Sequence, residues 1–360
     1  MDGDGVSNSD EHNKITLGPD GKYDTDGDGT EDDLDDDDDN DGMKDAYEQN
    51  HGISNGGWQD PLVYNARYAL LIGGGGTMKK EDAESGNFPA FWNDAEKFYN
   101  KLVNDYKYVP ENVYLLSSKW YVKHGDNYVW EGHDKTTDTI VDGECQWDNA
   151  SAFDIKDAIE EIGERTTVND LIILVNVAHG GEHGFSIVPT HTTPEFRGAL
   201  LYYNTLSDKI NNTLGGAHGQ ARKYAMMITI LQSCQSGDGA KLFEMGENRV
   251  GISAAKVDEL SYTQMGTLDH WAFLYKGRHR DGLYQDTYYN GFILSLGTAS
   301  SPQSIKYAFN CGYTAATNNH FDGNWIDPAE HYDSHPRLYA DGNGIPNEAS
   351  DKDVVACIYL

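Results

Sequence analysis

Positive charge is scarce in this 360-residue chain: 27 Lys and Arg stand against 59 Asp and Glu, a formal net charge of -32. A surface of that sign repels phosphate backbones and anionic headgroups, so nucleic acid and acidic membranes are excluded as partners and divalent cations are favoured. Long apolar runs are missing as well. No stretch approaches the roughly 18 uncharged apolar residues of a membrane span, and the first residues have neither the basic start nor the apolar core of a signal peptide. Cysteine is sparse: Cys145, Cys234, Cys311 and Cys357 are far apart and include no CxxC pair. They cannot staple a domain of this size; if one is a free nucleophile at most one disulfide fits, and neither a zinc ribbon nor a thioredoxin-type site is supported. What remains is a 38% hydrophobic content, enough for one substantial core and a small appendage.

The acidic residues are concentrated at one end. Residues 1–60 hold 20 Asp and Glu against three Lys, -17 of the total, which leaves -15 for the other 300 residues. That dispersed remainder fits a solvated surface or a salty habitat. Within the acidic segment the spacing is regular. Asp24, Asp26, Asp28, Gly29, Thr30, Asp32 and Asp35 occupy positions 1, 3, 5, 6, 7, 9 and 12 of an EF-hand-like loop. Asp37, Asp39, Asp41, Gly42, Met43, Asp45 and Glu48 repeat that register. Alternate carboxylates converge on one hard cation, the glycine allows the sharp bend, and the twelfth residue closes the shell. An ordinary acidic tail stays solvated and has no reason to place glycine at the sixth position twice.

No long helix flanks the first loop, so the pair resembles the tandem calcium loops of thrombospondin type 3 or dockerin-like repeats. Asp2, Asp4, Gly5, Asn8 and Glu11 fit a further loop whose first position falls before Met1, so the natural protein is expected to extend upstream. Calcium is thus the expected structural cofactor. Loops of this kind need the calcium levels found outside cells, which places the protein in a secreted or surface setting. Near the other end, Asp341-Gly-Asn-Gly-Ile-Pro-Asn347 repeats the cadence of residues 2–8 with Tyr339 at position 1. A calcium loop and a Gly/Asn-rich turn before a final strand, Val354 to Tyr359, are both open there.

Between the ends, strands and helices alternate. Tyr68–Ile72, Val113–Leu116, Leu171–Ala178, Tyr224–Leu231 and Val250–Ser253 read as buried strands. Helical spacing runs through Phe91 to Tyr108, Phe153 to Ile162 and Leu200 to Leu214, and again through Gln285 to Leu296 and Gln303 to Cys311. Residues 117–150 are polar and read as a long insertion. The pattern predicts an α/β sandwich with a mostly parallel sheet over residues 61–340, preceded by the loop-rich calcium segment 1–60 and followed by a tail, 341–360.

Two strand ends carry chemistry. The strand ending at Ala178 delivers His179-Gly180, and the strand ending at Leu231 delivers Gln232-Ser233-Cys234-Gln235-Ser236-Gly237. Neighbouring parallel strands would bring His179 and Cys234 to one sheet edge, where a thiol nucleophile and an imidazole can form a dyad. Rival readings are weaker. Gly73-Gly-Gly-Gly lacks both the third glycine of a dinucleotide fingerprint and the Lys-Ser/Thr of a phosphate loop, so it reads as a tight turn. His179 and His183 are four apart, but Glu182 is misplaced for HExxH and two glycines break the helix that zinc motif needs. Ser236 lacks the Gly-x-Ser-x-Gly elbow.

The His179-Gly180 block, the Gln232-to-Gly237 block, Ser253-Ala254-Ala255 and Glu259-Leu260-Ser261-Tyr262 together resemble the legumain-type cysteine endopeptidases of the caspase-like group. The resemblance covers roughly residues 61–340, and Pro336 to Asn347 resembles the tail of some prokaryotic members. It implies a caspase-like fold, protein or peptide substrates, a Cys234/His179 dyad needing no catalytic cofactor, and oxyanion donors at Gly180 and Cys234. It also implies substrate contacts at Gln232, Ser261 and Asp269. The family's pocket arginine aligns near Ala90 and is absent, so an acidic Asp269 suits a basic side chain and cleavage after Arg or Lys is expected. The alternative class is a calcium-binding surface or adhesion protein whose peptidase-like domain is a scaffold.

Overall fold

The computed structural model describes residues 66–74, 95, 97–117, 120–124, 127–131, 146–181, 183–187, 199–217, 220–233, 235–258, 292, 295–298, 301–318 and 336–358. The N-terminal loops at 1–60, Cys234, Ser261 and Asp269 lie outside these residues.

A seven-stranded sheet forms the centre. Its strands are β1 (Arg67–Gly73), β2 (Val113–Ser117), β5 (Gln146–Asn149), β6 (Leu171–Val177), β10 (Met226–Gln232), β11 (Arg249–Ser253) and β14 (Arg337–Tyr339). They lie in the order β14-β11-β10-β6-β1-β2-β5, all parallel except β14, which runs antiparallel to β11. The interior strands are largely apolar because both of their faces are covered. Along β6 the odd residues Leu171, Ile173, Val175 and Val177 enter one core, while Ile172, Leu174 and Ala178 enter the other.

Helices cover both faces, making a mixed α/β architecture. On the even face lie α1 (Ala152–Arg165), α2 (Tyr203–Leu214) and α3 (Gly237–Glu244), through Ile155, Ile159, Ile162, Leu206, Ile210 and Phe243. The opposite face is packed by Ala95, Phe98, Leu102 and Tyr106 of the first helical segment and by Ile305, Ala308 and Phe309 of α4 (Ile305–Asn318). Each buried Leu, Ile or Phe among them contributes roughly 1.5–3 kcal/mol relative to exposure. Ser151 caps α1, its side chain accepting from the Asp154 amide at 3.2 Å. The first helical segment closes with a π-helical turn at Lys101–Asp105. Among the described residues no helix is long and apolar enough to cross a membrane.

The structure departs from the sequence expectation in three places. The stretch 117–150 is more than an insertion, since it contributes the hairpin β3 (Trp120–His124) and β4 (Asn127–Glu131), and then β5, which pairs with β2. The helix expected from Leu200 starts at Tyr203, because β9 (Ala199–Tyr202) pairs with β8 (Gly184–Ile187). The final strand expected over Val354 to Tyr359 is instead α5 (Ala349–Val354) followed by a 3-10 turn, Val355–Cys357. Asp351 decides this. Its buried carboxylate accepts from the amides of Ala340 at 2.8 Å and Glu348 at 2.9 Å, starting the helix, and helical winding then sends both Val355 and Ile358 into the core.

The tail loop is stitched by its own side chains. Asp341 accepts from the Asn343 amide at 3.1 Å, Asn343 Oδ1 accepts from Ile345, and Asn347 exchanges hydrogen bonds with Leu338. Tyr339, the position-1 residue of the calcium reading, is a strand residue paired with Gly251. Glu244 is buried beneath the loop and accepts from the Gly342 amide.

Candidate active site

Strand order reverses between β1 and β6: from β1 the chain moves outward to β2 and β5, then returns to β6 and moves the other way. In open α/β sheets the carboxyl end of such a switch point forms the ligand crevice. His179 follows β6 directly. The register aligns Gln232 with Val177, and the ladder extends one further bond, from the Ala178 amide to the Gln232 carbonyl at 3.2 Å. His179 and Cys234 are therefore the residues two beyond matched positions of adjacent parallel strands.

The floor beneath this edge is rigid and polar. Ser233, Ser236 and Ser253 are fully buried, and each hydroxyl is engaged. Ser236 Oγ donates to the Leu231 carbonyl at 3.2 Å, Ser253 Oγ to the Ala255 carbonyl at 3.0 Å, and Ser233 Oγ lies 3.0 Å from Tyr203 Oη. Tyr203 is held in turn by Phe185 and by Phe243, the latter edge-on with centroids 6.3 Å apart. Glycine is required at Gly239, where a Cβ would come within 2.8 Å of the Tyr203 ring. At Gly74, just past β1, the amide donates to Val177 at 2.8 Å and a Cβ would stand 2.4 Å from the Ser186 carbonyl. The glycine run read as a tight turn therefore begins with a close backbone approach.

Beyond the sheet the two chains diverge. After His179 comes a small antiparallel sheet, β7 (Gly180–Gly181), β8 and β9, tied back by the Ser186 amide donating to the His179 carbonyl at 2.7 Å. After Cys234 the chain turns through Gln235 into α3. Both connections carry a non-glycine residue in the left-handed region, His183 at φ 67° and Gln235 at φ 56°. Such backbone costs of order 1–3 kcal/mol and gathers at functional sites. His183 Nδ1 lies 3.1 Å from the Asp238 carboxylate on α3.

His179 keeps contact with solvent, yet the surrounding protein removes enough water to lower its pKa, so the neutral imidazole is favoured. Gly180, the expected oxyanion donor, opens β7 beside it. Gln232, expected to contact substrate, is 2% exposed at the last paired position of β10, set into the floor. Among the described residues no group of three or more His, Cys, Asp or Glu side chains is arranged to hold a metal ion. Tyr203 and Asp238 gave no signal in the sequence; Ser233 stood out only as part of the Cys234 block, and His183 only through its spacing from His179. No protein-family model and no curated protein matches the chain.

Proposed function

We propose that the chain is a cysteine endopeptidase of the legumain type, with a caspase-like fold, a Cys234/His179 dyad and calcium in its N-terminal Asp loops. The supporting observation is the β6–β10 register, which sends the two motif blocks out of adjacent parallel strands at the same height. The two left-handed connections beside them add weight.

In this mechanism the Cys234 thiolate attacks the scissile carbonyl carbon, and the resulting oxyanion accepts hydrogen bonds from the Gly180 and Cys234 amides. The C–N bond breaks as protonated His179 gives its proton to the leaving amine. Water then attacks the thioester, neutral His179 accepts its proton, and the C–S bond breaks to restore the thiolate. Burial that disfavours imidazolium suits this second half. Asp269, with Ser261, would read a basic residue before the cut.

A peptide acyloxymethyl ketone with Lys or Arg next to the reactive group tests the reading. It should label the native protein at Cys234 and should leave Cys234→Ala and His179→Ala unlabelled. Absence of Cys234-dependent labelling across a varied probe set overturns the peptidase reading in favour of a scaffold. A peptide library cut strictly after Asn or Asp would overturn the basic preference alone. Calcium is tested separately: chelation should lower the melting temperature, and an unchanged melting curve removes structurally coupled calcium.

A further inference from the structure

The sheet fixes the two catalytic blocks relative to each other only as far as Gln232 and Ala178. Past that point one strand enters the β7–β8 hairpin and the other enters α3, and among the described residues no ladder bond of the main sheet joins them. We infer that His183 and Asp238 form a clasp that holds the His179–Gly180 arm at working distance from the Cys234 turn; this rests on the peptidase reading.

The geometry is specific. A carboxylate only accepts, so His183 Nδ1 carries the hydrogen and donates to Asp238 across 3.1 Å. His183 occupies the two-residue connection between the paired glycines Gly181 and Gly184, with its left-handed φ of 67°. Its carbonyl accepts from the Tyr203 amide at 2.8 Å, so the turn is anchored from below while its ring is anchored from the side. Asp238 stands in the first turn of α3, one residue after Gly237, where a Cβ would meet the Val257 amide nitrogen at 2.9 Å, so that end of the helix packs closely against the 256–257 backbone. Tyr203 completes the circuit, since its amide holds the hairpin and its hydroxyl holds Ser233, the residue before Cys234. The arm and the turn are thus joined by two bridges, one through Tyr203 and one through the clasp. His183 and Asp238 are positioning residues, because neither needs to touch substrate to set the imidazole-to-thiol distance.

The test uses the full chain and a fluorogenic peptide, with amide hydrogen exchange as a second readout. Asp238→Ala and His183→Ala should each lower kcat about tenfold while KM stays within about twofold, the pattern of a lost geometry rather than a lost substrate contact. Asp238→Asn keeps an acceptor oxygen for Nδ1–H and should recover most of kcat. Exchange of the Tyr203 amide should be faster in Asp238→Ala and return towards the native rate in Asp238→Asn. An unchanged kcat in both alanine variants, or an Asn variant as impaired as the Ala variant, overturns the clasp. If the native protein shows no Cys234-dependent turnover, the peptidase reading fails by itself, and unchanged Tyr203 exchange in Asp238→Ala then overturns the clasp independently.

Discussion

The two ends of strands β6 and β10 handle polar groups in opposite ways. At the amino end two charged side chains, Asp170 and Arg249, are absorbed into scaffolding. Asp170 accepts from the Ala66 amide at 3.0 Å and from the Thr167 amide at 2.6 Å. Buried Arg249 donates to Tyr224 Oη at 2.7 Å, Asn211 Oδ1 at 2.7 Å and the Gly215 carbonyl at 2.6 Å. At the carboxyl end His179 and His183 are exposed, the connections are left-handed, and the serine hydroxyls of the floor are bonded internally. The same strands therefore divide the labour: one end secures the fold, and the other carries the groups to which the proposed function assigns chemistry.

That division can be broken by substitution. The largest stability effect belongs to Arg249→Ala, which strips three partners at once and should cost roughly 3 kcal/mol in denaturant unfolding while leaving probe labelling of the folded fraction intact. A loss under about 1 kcal/mol would show that the amino end is not the anchor. His179→Ala should do the reverse, abolishing turnover while shifting stability by less than about 0.5 kcal/mol. Its pH dependence has a definite sign. The folded pKa is lowered, so the contribution of His179 to stability is present at and above its ordinary titration range and is lost as pH falls through it. The stability of the native protein relative to His179→Ala should therefore decline between pH 7.5 and 5.5, roughly the range around an unperturbed histidine.

Two smaller effects sharpen the contrast in the interior. Asn176 is fully buried, and neither its Oδ1 nor its Nδ2 finds a partner among the described residues. Asn176→Leu should raise stability by about 1 kcal/mol, read as a higher denaturant midpoint with unchanged slope. A loss would mean that this amide serves the nearby site. Glu244 has its pKa raised by burial first and by the neighbouring carboxylates Asp351 and Asp341 in addition. Folding then favours its protonated form, so its ionisation costs stability as pH rises above the ordinary carboxylate range. Glu244→Gln should raise the melting temperature at pH 7 and should lose that advantage towards pH 4, near the ordinary carboxylate range.

The main sheet was legible in the sequence because parallel strands buried on both faces are written as largely apolar runs, as Leu171 to Ala178 and Tyr224 to Leu231 show with only Asn176 and Thr229 interrupting them. Helix faces were legible through their spacing: Phe98, Leu102 and Tyr106 are all buried, as are Ile155, Ile159 and Ile162. Polar strands were not. Gln146–Asn149 joins the sheet edge without an apolar signature, and the apolar signature from Val354 onward falls at the end of a capped helix and in the 3-10 turn Val355–Cys357. The site was half legible. His179 and the Cys234 tetrad announced themselves at strand ends, whereas Tyr203 and Ser233 meet across 30 residues of chain and His183 and Asp238 across 55, separations at which only the fold creates the relation.

The strand order has a kinetic consequence. The interior strand β1 must find the central strand β6 before the crevice exists, and the Ala66–Asp170 bond at the start of that pairing spans 104 residues. Contacts so distant in sequence form slowly, because loop closure must precede any reward from pairing. Local helices can form early, but His179 is not set beside the β10 turn until β1, β6 and β10 have all docked. Under the proposed peptidase reading, a nascent or partly unfolded chain therefore carries Cys234 and His179 without a dyad, and cleavage waits until the sheet is assembled.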